Sequence, residues 1–154
     1  MSARDRLAEL GLTLPPVVPP VAVYVPAVRT GDLVFTSGQL PMAGGVMAQT
    51  GLVGGPVTPE QAKELAATCA LNALAAIDAL VGLEAIVRVV KVVGFVASAP
   101  GFTGQPGVVN GASELLGAVF GDAGVHARSA VGVAALPLDA PVEVELVVEV
   151  APTV

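Results

Sequence analysis

Arg128 carries the strongest chemical potential in the sequence. It stands in the stretch 127–135, whose other members are small or apolar. A guanidinium inside a strand is costly unless an anion meets it. Arginine's planar fork is suited to gripping a carboxylate through two parallel hydrogen bonds. An ion pair with Glu145 or Glu149 would satisfy it equally well. Tyr24, the one tyrosine, offers a hydroxyl to a ligand or packs as an edge-strand aromatic. Ser37-Gly38-Gln39 ends a strand, and Gly38 either lets backbone amides approach an anion or serves a bare turn. Asn110, near the start of a helix, reads as a cap or as a ligand contact. His126 reads as a surface or interface residue, and Cys69, on an apolar helix stripe, as core.

Other chemistries are excluded by what is missing. Neither a Gly-x-Ser-x-Gly elbow nor a P-loop with Gly-Lys-Ser/Thr occurs, and the segment 51–55 reads as a flexible glycine-rich loop. A single His and a single Cys leave no metal-ligand spacing, so no metal is expected. A net charge of -6 with scattered basic residues disfavours phosphate backbones, so no nucleic-acid partner is expected. The most apolar stretch, 66–86, is interrupted by Asn72, Asp78 and Glu84, which argues against a membrane span. The charged start, with Arg4, Asp5, Arg6 and Glu9, argues against a signal peptide. One cysteine allows no internal disulfide and fits a cytoplasmic location. Apolar residues make up 54% and charged residues 13%. So much apolar surface points to a permanent oligomer, with a very tight core as the rival reading.

The elements that must position these groups read in order, within one domain spanning 1–154. Residues 1–20 form an N-terminal helix (2–10) and a proline-rich extension. Strands at 21–28 and 33–37 flank a turn at Gly31-Asp32. The glycine-rich 41–56 holds at most a short strand near Val46. Thr58-Pro59-Glu60-Gln61 is a capping box with proline in the first turn, and the helix it starts runs to Gly82. The stretch 86–97 reads as a strand buried on both faces, followed by a helix over 108–120. The last two strands, 127–135 and 142–150, read as a hairpin turning through 136–141. The predicted fold is α+β, a two-layer sandwich of a mixed sheet with two helices on one face. Its other face is bare in a single chain. In this hairpin Arg128 lies opposite Glu149. Glu143 then sits on the same face on the order of 20 Å away, so the two could meet only between chains.

Taken together, four segments resemble the Rid (RidA/YjgF) family, also known as the endoribonuclease L-PSP family. They are 24–39 (YVPAVRTGDLVFTSGQ), the two helices in register, Ala127-Arg128-Ser129, and Leu136-Pro137 through Glu145. The resemblance implies a chorismate-mutase-like fold, a homotrimer and ligand clefts between subunits. It implies hydrolysis of reactive 2-imino acids, or their enamine tautomers, to 2-oxo acids and ammonia without a cofactor. It makes Arg128 the carboxylate clamp and Glu143 the acid that positions water. It places Tyr24, Ser37, Gly38, Asn110, Ala130 and Pro137 around the substrate. Archetypal members carry Cys where this chain has Ala130 and Pro where it has His126. A non-catalytic sensor of 2-oxo acids is the alternative.

Overall fold

The computed structural model describes residues 1–20 and 22–154. Helix α1 (Ala3–Glu9) is capped by Ser2, which closes a capping box with Asp5. Glu84 also accepts from the Ala3 and Arg4 amides, and Arg4 pairs with Asp78. These contacts fix a helix too short to stand alone, and Leu7 enters the core.

β1 (Ala27–Thr30) and β2 (Leu33–Thr36) form the expected hairpin, with Gly31 at φ 58° in its turn. The first strand starts later than its apolar run implies. Val21 lies outside the described residues, and 22–26 is irregular. Pro26 has no N–H for a ladder, and the Val25 and Pro26 carbonyls accept from the Ser37 hydroxyl and amide. β3 (Met42–Ala43) and β4 (Val46–Met47) make a separate small hairpin. The segment after it is not a loose loop. Val53 is fully buried, its amide donates to Ala97 O and its carbonyl accepts from Ala99 N.

α2 (Pro59–Val81) has the predicted capping box from Thr58 to Gln61, and Gly82 stops it at φ 86°. It is long and apolar enough to cross a membrane, yet Leu65, Ala66, Cys69, Ala73 and Ile77 are spent in the core. α3 (Gln105–Phe120) begins earlier than expected, with Pro106 in its first turn. α3 sits close to its neighbours: a Cβ on Gly111 would lie 1.9 Å from the Lys63 carbonyl, and one on Gly94 would lie 2.4 Å from Val109.

The fold is α+β, with helices against one face of a five-stranded mixed sheet ordered β1-β2-β7-β5-β6. Here β5 is Ile86–Ala97, β6 is Ala127–Val133 and β7 is Val142–Val150. The last two strands are therefore not a hairpin. β5 lies between them, parallel to β6 and antiparallel to β7. The segment 134–141 is long enough to step over one strand, about 9.5 Å between outer strands, and β5 gains a partner on each side. Nor is β5 buried on both faces. Val89, Val92 and Val96 lie under the helices, whereas Val87 and Val90 are exposed.

Candidate functional site

β6 and β5 place Arg128 beside Val92, whose partner on β7 is Leu146. Val92 and Leu146 belong to the core beneath the helices, so Arg128 points to the helix side. There α3 receives it: Nη1 donates to Asn110 Oδ1 at 2.8 Å and Ser113 Oγ at 3.2 Å, and Nη2 donates to Pro106 O at 3.0 Å. Glu145 and Glu149 take no part, so the ion-pair reading of Arg128 is not what the fold builds. Three of five guanidinium protons are used, leaving Nε–H and one on Nη2 without a partner among the described residues. Asn110 is no cap, since it lies beyond the first helical turn.

Ser113 is the residue that sequence reasoning missed. Its hydroxyl meets His126 Nε2 at 2.8 Å, and His126 Nδ1 meets Gly124 O at 2.6 Å. His126 is thus half-buried and bonded rather than a bare surface residue. Ser113 follows Asn110 by three positions, which puts both on one helix face. That spacing was the available signal.

Glu143 lies elsewhere. It pairs with Phe95 on β5, one register step out of phase with the core positions, and so faces the opposite side of the sheet. Along β5, its partner is three residues from that of Arg128, and two strand spacings separate β6 from β7. The two backbones are on the order of 14 Å apart. The expectation that they share a face is corrected, although their separation within one chain stands.

Glu143 is half-buried, and burial first, then the neighbouring Glu145, raises its pKa above the ordinary carboxylate value. Gly38 packs directly on it: a Cβ there would stand 2.8 Å from the Glu143 carboxyl carbon. Gln39 holds the loop in place by exchanging backbone hydrogen bonds with Val144 at 2.8 and 3.0 Å.

A cleft of about 1010 Å³ opens over this face, and Tyr24, Ser37, Gly38, Pro137 and Glu143 all line it. Arg128, Asn110 and Ala130 do not. Ala130 follows Arg128 on the helix side, opposite Gly94, and packs on the core. The proline-rich extension, Pro15 to Pro20, forms a wall of this cleft, a role that no local pattern in the sequence announces. Asn72 supports another wall, donating to Leu40 O and Met42 O at 3.0 Å each, while its buried Oδ1 has no hydrogen-bond partner among the described residues. Leu138, at the cleft, and Asp139 both hold φ of 58°. Non-glycine residues adopt that conformation at a cost, which the surrounding structure must offset.

Among the described residues, no three His, Cys, Asp or Glu side chains gather as a metal site. The described residues thus hold two separate clusters: a cationic donor cluster at the β6 edge and a cleft lined by Glu143 and Glu145 on the open face.

The family profile described as endoribonuclease L-PSP matches residues 16–150. The chain belongs to this family, the YjgF/Rid family. Among its relatives, Protein TCP17 of Trypanosoma cruzi is 45% identical over 148 residues, covering 94% of this chain and 91% of that protein. The crystal structure of Atu1372 from Agrobacterium tumefaciens is 48% identical, with TM-score 0.90 over 97% of this chain and 92% of that one. A more distant YjgF/Rid-type structure, Escherichia coli TdcF with bound serine, is 26% identical with TM-score 0.57, covering 90% and 94% of the two chains. The family match begins at residue 16, so α1 lies outside the matched span.

Proposed function

We propose that this Rid-family chain hydrolyses 2-imino acids, or their enamine tautomers, to 2-oxo acids and ammonia. The site would lie between copies of a cytoplasmic homotrimer, where Arg128 of one copy faces the Glu143 cleft of the next. The observation that carries this reading is Arg128 itself. Among the described residues it has three partners, none of them a carboxylate, and two donors left over. Such a group is prepared for an external carboxylate. Serine bound to TdcF, a small carboxylate on the same fold, supports it. The acidic open face and the cationic β6 edge are complementary, and β6 is an unpaired sheet edge.

In this reading Arg128 holds the substrate carboxylate, with Asn110 and Ser113 orienting the guanidinium. Glu143, its proton affinity raised by burial, accepts a proton from water as the water oxygen bonds to the imine carbon. The C=N electron pair moves to nitrogen, which takes up a proton from solvent and gives a carbinolamine. Glu143 returns its proton to that nitrogen, the C–N bond breaks, the hydroxyl gives its proton back to solvent, and ammonia leaves a 2-oxo acid. Tyr24, Ser37, Gly38 and Pro137 shape the cleft around the reacting carbon. Ala130, small where archetypal members of the family carry Cys, leaves room beside the clamp. The chemistry requires no cofactor.

The test is release of 2-oxo acid from freshly generated 2-iminopropionate and 2-iminobutyrate, with wild type beside Arg128→Ala. Acceleration by wild type alone supports the deaminase. Saturable 2-oxo acid binding without turnover would make the chain a carboxylate sensor instead.

A further inference from the structure

Behind Arg128 stands a second layer that the proposed chemistry does not use. His126 Nδ1 lies 2.6 Å from the Gly124 carbonyl, which can only accept, so Nδ1 carries the proton. In the neutral ring Nε2 is then the acceptor, and the Ser113 hydroxyl, 2.8 Å away, donates to it. That fixes the hydroxyl hydrogen away from Arg128 and turns an oxygen lone pair to the guanidinium, 3.2 Å off. A carbonyl, an imidazole, a hydroxyl and a guanidinium form one directed chain from the 3-10 turn Gly121–Gly124 through α3 to β6.

The geometry points to Ser113 and His126 as positioning residues for Arg128, making its grip on a carboxylate dependent on the charge of His126. This rests on the carboxylate-clamp reading above. When His126 is protonated, Nε2–H must donate to Ser113 Oγ. That oxygen then accepts from two cations at once, His126 and Arg128, and its own hydrogen must turn elsewhere. Two neighbouring positive charges are tolerated better when a carboxylate sits on Arg128. By linkage, acid binding promotes protonation of His126, and protonation strengthens acid binding. Arg128 and Ser113 face the ring from β6 and α3. Arg88 on β5 and Glu149 on β7 share a second hollow with it, and Asp122 lies in the adjoining turn. Arg88 and Glu149 are opposite in sign and are register partners across β5 and β7.

The single histidine makes the test direct. Nitrogen NMR of the intact protein should show the Nδ1–H tautomer, and Ser113→Ala should keep it, since Gly124 O still accepts from Nδ1, while the Nε2 resonance shifts on losing its hydroxyl donor. Binding of 2-oxobutyrate should weaken about tenfold in Ser113→Ala and recover in Ser113→Thr. Its affinity should rise more steeply as pH falls from 8 to 6 in wild type than in His126→Gln, which keeps only the contribution of Glu143, whose proton affinity is raised by burial. An Nε2–H tautomer, or equal pH dependence in His126→Gln, would overturn the proposal while leaving the clamp intact. If wild type binds no 2-oxo acid at any pH, the clamp reading fails. Guanidinium rotation of Arg128, followed by the same NMR, then decides: faster in Ser113→Ala retains the positioning role, and unchanged rotation removes it.

Discussion

Arg128 and Glu143 occupy opposite faces of one sheet, separated by β5, so no side-chain movement within a single chain can bring them onto one small ligand. If both are needed for turnover, the functional unit is a pair of neighbouring chains.

That arrangement predicts complementation. Arg128→Ala and Glu143→Gln should each lose imine hydrolysis. In the proposed cyclic trimer, the two variants refolded together at equal amounts should regain about a quarter of wild-type sites, because one interface in four then joins an intact clamp to an intact carboxylate. Activity that stays at the level of the separate variants after verified mixing would show that the two residues do not share a site.

Glu143 also has a stability signature. Its pKa is raised by burial and then by Glu145, so the folded chain holds this proton more tightly than the unfolded chain. The resulting stabilisation is complete below the ordinary glutamate value of 4.5 and is lost as pH climbs through the raised value. Glu143→Gln should therefore unfold at a higher temperature than wild type at pH 7, with the difference closing near pH 4. Partial exposure and solvent screening keep the gain under about 1 kcal/mol. Thermal melts across that range check it, and a variant less stable than wild type at pH 7 would contradict the sign.

Leu138 is exposed at 61% and holds φ of 58°. Left-handed backbone costs a non-glycine residue about 1–2 kcal/mol, and glycine's extra unfolded-state entropy offsets part of that gain. Leu138→Gly should match or exceed wild-type stability by up to about 1 kcal/mol in urea unfolding, despite the lost side chain. If ligand affinity falls in the same variant, the strain is retained for the cleft.

Gly111→Ala tests the seating of Arg128's partners. The new methyl would collide with the Lys63 carbonyl, a backbone atom that cannot rotate away. Forcing α3 outward should cost about 1–3 kcal/mol in chemical unfolding. It should also weaken acid binding, because Asn110 and Ser113 travel with that helix.

Much of this architecture was legible. The capping box at Thr58, the Gly31-Asp32 turn and the alternation of β7 are local signals, and local chemistry decided them. The pairing of β6 was not legible, because two consecutive strands and a turn-rich link read as a hairpin whether or not a third strand lies between. That error put Arg128 and Glu143 on one face. The link between His126 and Ser113 was hidden for a similar reason: it joins α3 to the entry of β6 through tertiary packing, with no periodicity to announce it. The wall made by the proline-rich extension depends on where α1 anchors, and that rests on Glu84 and Asp78, far along the chain.

The contact between Gly38 and Glu143 ties the choice of residue at one position to the side-chain orientation at the other. A lineage that acquires a side chain at 38 must turn the Glu143 carboxyl away from its place in the cleft, since the added carbon would meet it at 2.8 Å. Branches that have abandoned the acid should be the ones where the glycine drifts, so the two losses should appear together in descent.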